Sequence, residues 1–193
     1  MPIDENRIFR LEQQQVVLDD IKSDGFILDI GGGGEGVIGQ LKGPQVVAID
    51  VSARELAEAA DGPLKIVMDA RELKFLDNTF QTVTAFFAFM FIPPDEHASV
   101  FQEIFRVLKP GGQLLFWEIE IQQRPDAHRD LLVFPLQVAL PSKMVHTGYG
   151  TPYTEKPVRL EDYMALAKEC GFEVSENHRT GQTFFCKLVK PLC

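Results

Sequence analysis

Four consecutive glycines, Gly31 to Gly34, follow the run Ile27-Leu28-Asp29-Ile30 and precede Glu35-Gly36-Val37. Glycine lets a backbone turn with positive φ or lie close to a ligand, at an entropic cost on folding. A second run, Val46-Val47-Ala48-Ile49-Asp50, ends in a carboxylate. Strand, glycine turn, helix start and an acid closing the next strand form the layout of a site for a nucleotide-like moiety. Asp29 is a different case, because it stands inside an apolar strand two residues before the first glycine. A carboxylate there is costly unless it has a partner. A cofactor bearing an ammonium group would supply one. Gly31-x-Gly33-x-x-Gly36 with Asp50 also fits the dinucleotide fingerprint, so a nicotinamide cofactor stays open on these residues alone.

The elements that must position this site alternate between strands and helices. The spacing predicts strands at Phe26–Ile30, Val46–Asp50, Leu64–Met68, Thr82–Phe89 and Gln113–Ile119. Helices are expected over Glu35–Leu41, from an N-cap at Ser52 to Ala60, and over Asp95–Leu108, where Val100, Phe101, Ile104, Phe105 and Leu108 share a face. A leading amphipathic helix is expected over Asn6–Ile21 from Ile8, Leu11, Leu18 and Ile21. Leu160–Cys170 reads as a further helix with Gly171 beyond its end. Phe172–Asn177 and Thr183–Val189 read as a closing antiparallel hairpin. The whole is an α/β chain with a doubly wound, mostly parallel sheet covered on both faces. Ile121–Pro157 breaks the rhythm. It is long and rich in Pro, His, Tyr and Gly, as functional loops are.

The bounds are those of one domain spanning residues 1–193, with enough chain for a core. The net charge of −9 repels phosphate backbones, which argues against a nucleic-acid partner. No apolar run reaches the roughly 20 residues that span a bilayer, and the first residues lack a secretion-signal layout. Cys170, Cys186 and Cys193 form no Cys-x-x-Cys pair, which speaks for a reducing cytoplasm rather than a disulfide framework or zinc site. Asp126 and His128 lack a third ligand of suitable spacing, so no metal is expected.

Read together, five runs resemble the class I S-adenosylmethionine-dependent methyltransferases, within their small-molecule branch that includes quinone-biosynthesis enzymes. They are Leu28-Asp29-Ile30-Gly31-Gly32-Gly33, Ala48-Ile49-Asp50-Val51-Ser52, Met68-Asp69-Ala70, Leu76-Asp77-Asn78-Thr79-Phe80 and Val107-Leu108-Lys109-Pro110-Gly111-Gly112-Gln113-Leu114. The runs are common singly and specific in this order, and cover about half the chain. The resemblance implies a seven-stranded sheet with the antiparallel hairpin last. It implies S-adenosylmethionine as cofactor and a small-molecule acceptor. By position it implies Asp29 near the methionine amino group, and Gly31, Gly32 and Gly33 along the methionine part and ribose. Asp50 would take both ribose hydroxyls and Val51 would pack on adenine. Asp69 would accept from the adenine amino group beside Ala70, with Phe86 and Phe87 closing the pocket near the sulfonium. Glu35 stands where the family has its third glycine. It could crowd the methionine part, or serve as an anionic neighbour to the cofactor's positive charge.

Methyl transfer needs alignment and desolvation more than a compulsory side chain, so no catalytic residue is assigned. His97, His146, Tyr149 and Tyr153 are candidates, His97 as a base or else as solvated surface. The last three lie in a segment, about 121–158, expected to cover the substrate. The alternatives are a nicotinamide-dependent oxidoreductase, for which no Tyr-x-x-x-Lys pair is present at Tyr149 or Tyr153, and a non-catalytic relative that binds S-adenosylmethionine.

Overall fold

The computed structural model describes residues 4–122, 128–153 and 157–192. A parallel core is laid down first, by β3 (Ile27–Ile30), β4 (Val46–Asp50), β5 (Leu64–Val67), β6 (Phe80–Phe86) and β7 (Leu108–Ile119). The hairpin β10 (Glu173–Thr180) and β11 (Thr183–Val189) adds to β7 antiparallel, giving the order β10-β11-β7-β6-β3-β4-β5. β3 is buried along its length, as a central parallel strand must be when both faces are covered.

The two faces are covered differently. On one, α3 (His97–Val107) and α4 (Leu160–Glu169) lay down buried stripes, Val100, Phe101, Ile104 and Val107 from α3 and Leu160, Tyr163 and Ala167 from α4. Their spacing of three and four residues is that of one helical face. The other face carries α1 (Val37–Lys42), α2 (Ala53–Glu58) and a small second sheet. The Ser52 hydroxyl accepts from the Glu55 N–H at 3.2 Å, capping α2 as the sequence predicts.

That second sheet corrects two expectations. Residues 6–21 hold no helix. They form a 3-10 turn and two short strands, β1 (Ile8–Arg10) and β2 (Gln14–Val17), both parallel to β8 (Leu131–Leu140). Within β2 burial alternates, with Gln14 and Val16 inward and Val17 outward, which is the strand period. Within the expected covering loop, residues 131–152 form a hairpin, β8 with β9 (Lys143–Pro152), paired antiparallel from Leu131 with Pro152 to Leu140 with Lys143. A strand boundary also moves. β6 stops at Phe86 rather than Phe89 because Phe87 adopts a left-handed φ of 52°, after which Phe89–Phe91 form a 3-10 turn.

Phe134 of β8 is fully buried, with its ring 5.9 Å from Phe87 and 5.8 Å from Tyr149, so it joins the small sheet to the end of β6. Truncating such a ring removes its burial and leaves a cavity, at about 3–5 kcal/mol. Phe134→Ala should therefore lower the unfolding free energy by about 3–5 kcal/mol, read as a lower urea midpoint at an unchanged m-value; an unchanged midpoint would mean that the hairpin is not part of the cooperative core.

Candidate functional site

Three strand ends converge at the glycine turn. Gly31 has φ of 69°, and a Cβ there would fall 2.7 Å from the Ala88 Cβ. At Gly33 a Cβ would fall 2.7 Å from the Glu55 Cβ and 2.8 Å from Asp50 Oδ2. Side chains at either place would push the ends of β6 and β4 away from β3. Their absence leaves a cavity of about 920 Å³ outside the carboxyl ends of these strands, where open α/β sheets bind ligands.

Most of the expected ligand-facing residues share this cavity. Gly31, Gly33, Asp50 and Val51 line it, as do Asp69, Ala70, Phe86 and Phe87. Asp50 Oδ1 accepts from the Ser52 N–H at 2.8 Å, which fixes the carboxylate while Oδ2 faces the glycine turn. Val51 is 69% exposed although apolar, and its exposed surface looks into the cavity. Asp69 takes Arg71 on both oxygens, the Nη2 contact being 2.5 Å, and Arg71 holds its carboxyl below the usual range. Arg71 also reaches Glu96 at 2.6 Å.

Asp29 and Gly32 do not line the wall. Asp29 is 2% exposed, and its Oδ1 accepts from the Thr84 hydroxyl at 2.7 Å. Burial pushes it up to about 7, against the pull of the Thr84 hydrogen bond, and the nearby Asp50 charge adds to the rise. Its Oδ2 packs where a Gly32 Cβ would be, so Gly32 serves the fit between Asp29 and Ala48.

The far wall is aromatic. Phe87, strained at φ 52°, is held by its N–H to the Trp117 carbonyl at 2.9 Å. Tyr149 of β9 stacks on it with centroids 5.6 Å apart and planes 21° apart, and Phe86 meets it edge-on at 4.9 Å. A bulky residue in the left-handed region persists only where its surroundings over-determine it, and such positions cluster at ligand sites. Burial, reinforced by the charges of Glu35, Glu118 and Asp29, raises the Tyr149 phenol. It therefore keeps its proton at neutral pH, can donate a hydrogen bond, and cannot serve as a base.

The other candidates lie elsewhere. His97 is neither solvated nor in the cavity. It is buried, its Nε2 lies 3.1 Å from the Phe89 carbonyl and 2.9 Å from that of Ile92, and its ring stacks on Tyr163. Burial lowers its pKa, so a neutral ring donates from Nε2 to these carbonyls. Tyr153 is buried against Phe9 at 5.7 Å. His146 is exposed on β9, away from the cavity lining. No group of three His, Cys, Asp or Glu side chains among the described residues could hold a metal, and Asp126 and Cys193 lie outside those residues.

Arg71 and Glu118 carry roles that motif reading left unassigned. Glu35 lines the cavity and accepts the Thr147 hydroxyl. Glu118 is fully buried and accepts N–H groups from Met90 and Ile119 at 3.1 and 2.9 Å, while Thr151 donates to the Met90 carbonyl. With His97 they clamp the 88–92 turn that forms part of the cavity wall. The signal for Glu118 was a lone acid in Leu114-Leu115-Phe116-Trp117-Glu118-Ile119.

Comparison with known proteins agrees with this geometry. The family described as a methyltransferase domain matches residues 28–116. A ubiquinone/menaquinone biosynthesis C-methyltransferase from Stutzerimonas stutzeri is 30% identical over 176 residues, 80% of this chain and 68% of its own. The chain belongs to the class I S-adenosylmethionine-dependent methyltransferases. It is an enzyme that moves a methyl group from S-adenosylmethionine to a small-molecule acceptor. A methyltransferase of the same description from Desulfotalea psychrophila is 49% identical over 47 residues, which span 24% of this chain and 18% of that one. A SAM-dependent methyltransferase structure from Methanosarcina mazei superposes with a TM-score of 0.60 at 23% identity, covering 89% of this chain and 95% of that one. That likeness shows the methyltransferase fold. No helix among the described residues is long and apolar enough to cross a membrane.

Burial raises Glu118 from about 4.5 to about 8. Below pH 4.5 both folded and unfolded chains hold this proton. Between the two values only the folded chain keeps it, so stability falls as pH rises and levels off above 8. Asp29 contributes the same sign only up to about 7. Urea unfolding at pH 7 and 8.5 should thus show a loss in the unmodified chain that Glu118→Gln largely removes, leaving the smaller part due to Asp29; an equal loss in both would exclude Glu118 as its source.

Proposed function

We propose that the acceptor is a neutral, flat, ring-bearing molecule held against Phe87 and Tyr149, and that residues 121–158, through the β8–β9 hairpin, cover it. The relatives named above act in ubiquinone and menaquinone biosynthesis, and a quinol-like ring is the acceptor chemistry this wall suits best. The observation that carries the reading is Tyr149, backed by the buried Phe87 ring and lining the same cavity as Asp50. Flat aromatic faces reward an offset-stacked partner by about 0.5–1.5 kcal/mol beyond area burial. An anionic acceptor is disfavoured because six carboxylates and one arginine stand in the lining.

The residues fit the cofactor. A carboxylate with one oxygen pinned and the other facing inward suits a diol, and an exposed apolar Val51 beside it suits a base. In this reading Asp50 binds the ribose hydroxyls, Val51 and Ala70 flank the adenine, and Gly31 and Gly33 admit the backbone to the methionine part. Asp69, already paired with Arg71, shares its acceptor capacity between that partner and the adenine amino group. Phe86 and Phe87 exclude water at the reacting end, and Tyr149 donates its phenolic proton to a polar atom of the acceptor.

Bound S-adenosylmethionine would supply a methyl carbon on a sulfonium; a nucleophilic electron pair of the acceptor would form the new bond as the methyl–sulfur bond breaks, the sulfur leaving as a neutral thioether and the acceptor's proton passing to water. The chain contributes alignment and a dry wall. The work is proposed to take place in the cytoplasm, on a small molecule rather than nucleic acid, in keeping with the charge of −9.

Incubation with S-adenosylmethionine and a panel of neutral, cationic and anionic ring compounds, read by mass spectrometry, tests this. Methylation should appear with neutral ring nucleophiles. Asp50→Ala should weaken cofactor binding at least tenfold, as loss of hydrogen bonds to a charged acceptor does, with proportionate loss of turnover. Turnover confined to phosphorylated or carboxylated acceptors would contradict the proposed acceptor class.

A further inference from the structure

Four of the six carboxylates that line the cavity have an arginine partner. Arg71 pairs with Asp69 and Glu96 at 2.5 and 2.6 Å. Arg54 pairs with Glu55 and Glu58 at 2.8 and 3.6 Å. Of the six lining carboxylates this leaves Asp50 and Glu35 without a cation among the described residues. Asp50 is already pinned by the Ser52 N–H, facing the glycine turn at the ribose position. Glu35 stands at the junction between the glycine turn and the hairpin, sharing the wall with Gly34, Gly148 and Tyr149. Its Oε1 accepts the Thr147 hydroxyl, and its backbone carbonyl accepts from Gln40, so the side chain is braced from β9 and its backbone from α1.

Asp29, the residue expected to meet the methionine amino group, is poorly placed for it. It lies under Gly32, outside the lining, with Oδ1 committed to Thr84. A cation entering a cavity closed by aromatic rings is costly without a facing anion. A carboxylate already fixed by a hydroxyl loses little freedom on meeting it.

We infer that Glu35, braced by Thr147, is the carboxylate that receives the cationic methionine end of S-adenosylmethionine, in place of Asp29. The inference rests on reading the cavity as the cofactor site. Glu35 thereby turns a departure from the family's glycine pattern into a binding contact, and Thr147 makes the β8–β9 hairpin part of the cofactor site.

Calorimetric titration of the full chain with three ligands tests it: S-adenosylmethionine, S-adenosylhomocysteine and 5′-methylthioadenosine. The last carries the adenosine and a neutral sulfur but no amino acid. Glu35→Gln should bind S-adenosylmethionine roughly tenfold or more weakly, the scale of a lost charged hydrogen bond, and methylthioadenosine as the unmodified chain does. Thr147→Val should show a smaller loss of the same selectivity. An equal loss for S-adenosylhomocysteine would place the ammonium at Glu35; a loss confined to S-adenosylmethionine would place the sulfonium there. Unchanged S-adenosylmethionine affinity in Glu35→Gln, or an equal loss for methylthioadenosine, would overturn the inference. Failure of the unmodified chain to bind S-adenosylmethionine at all would instead overturn the reading of the cavity.

Discussion

Close approach at Gly31 and Gly33 is the constraint on which the rest of this molecule depends. A Cβ at either glycine would fall within 2.8 Å of a neighbour, Ala88 just beyond β6 in one case and Glu55 of α2 with Asp50 at the end of β4 in the other. Because those approaches are possible, the carboxyl ends of β3, β4 and β6 meet around one hollow. Asp50 enters that hollow already oriented, since its neighbour Ser52 both pins it and caps α2. One short run thus builds the turn, the helix start and the polar end of the cavity.

The opposite end depends on strain and on a second sheet. Phe87 is forced out of the strand conformation, and this turns the chain into the 88–92 segment that walls the cavity. His97 from α3, Glu118 from β7 and Thr151 from β9 each hold a backbone group of that segment. Three elements from different layers converge on five residues, which is how a costly φ is kept. The hairpin contributes Tyr149 to the cavity and Thr151 to the clamp, so the small sheet is tied to the site as well as packed beside it.

Much of this was legible because it is local. Strand, glycine turn, acid-ended strand and cap are read within a few residues of one another, and Val46–Asp50 and Thr183–Val189 carry the same bounds in sequence and structure. What the sequence hid is non-local. The apolar residues at Ile8, Leu11, Leu18 and Ile21 have near-helical spacing, yet their partner is β8, more than a hundred residues away. In β8 the inward set Leu132, Phe134, Leu136, Val138 and Leu140 alternates as a strand should, while the exposed Pro135 disguises it as loop. His97 opens a helix and so reads as surface; only the packing of Tyr163 and the Phe89 and Ile92 carbonyls makes it interior. Asp29 announced itself as a costly acid, and one partner for it, Thr84, comes from the adjacent strand, which the sequence does not show.

A crystal structure of the chain with bound S-adenosylhomocysteine probes the account most directly. The ribose hydroxyls should lie on the Asp50 carboxylate, the adenine against Val51, and the sulfur should face Phe86 and Phe87, with Tyr149 still stacked on the far side. Density for the ligand outside this hollow, or an orientation that sends its ribose away from Asp50, would contradict it.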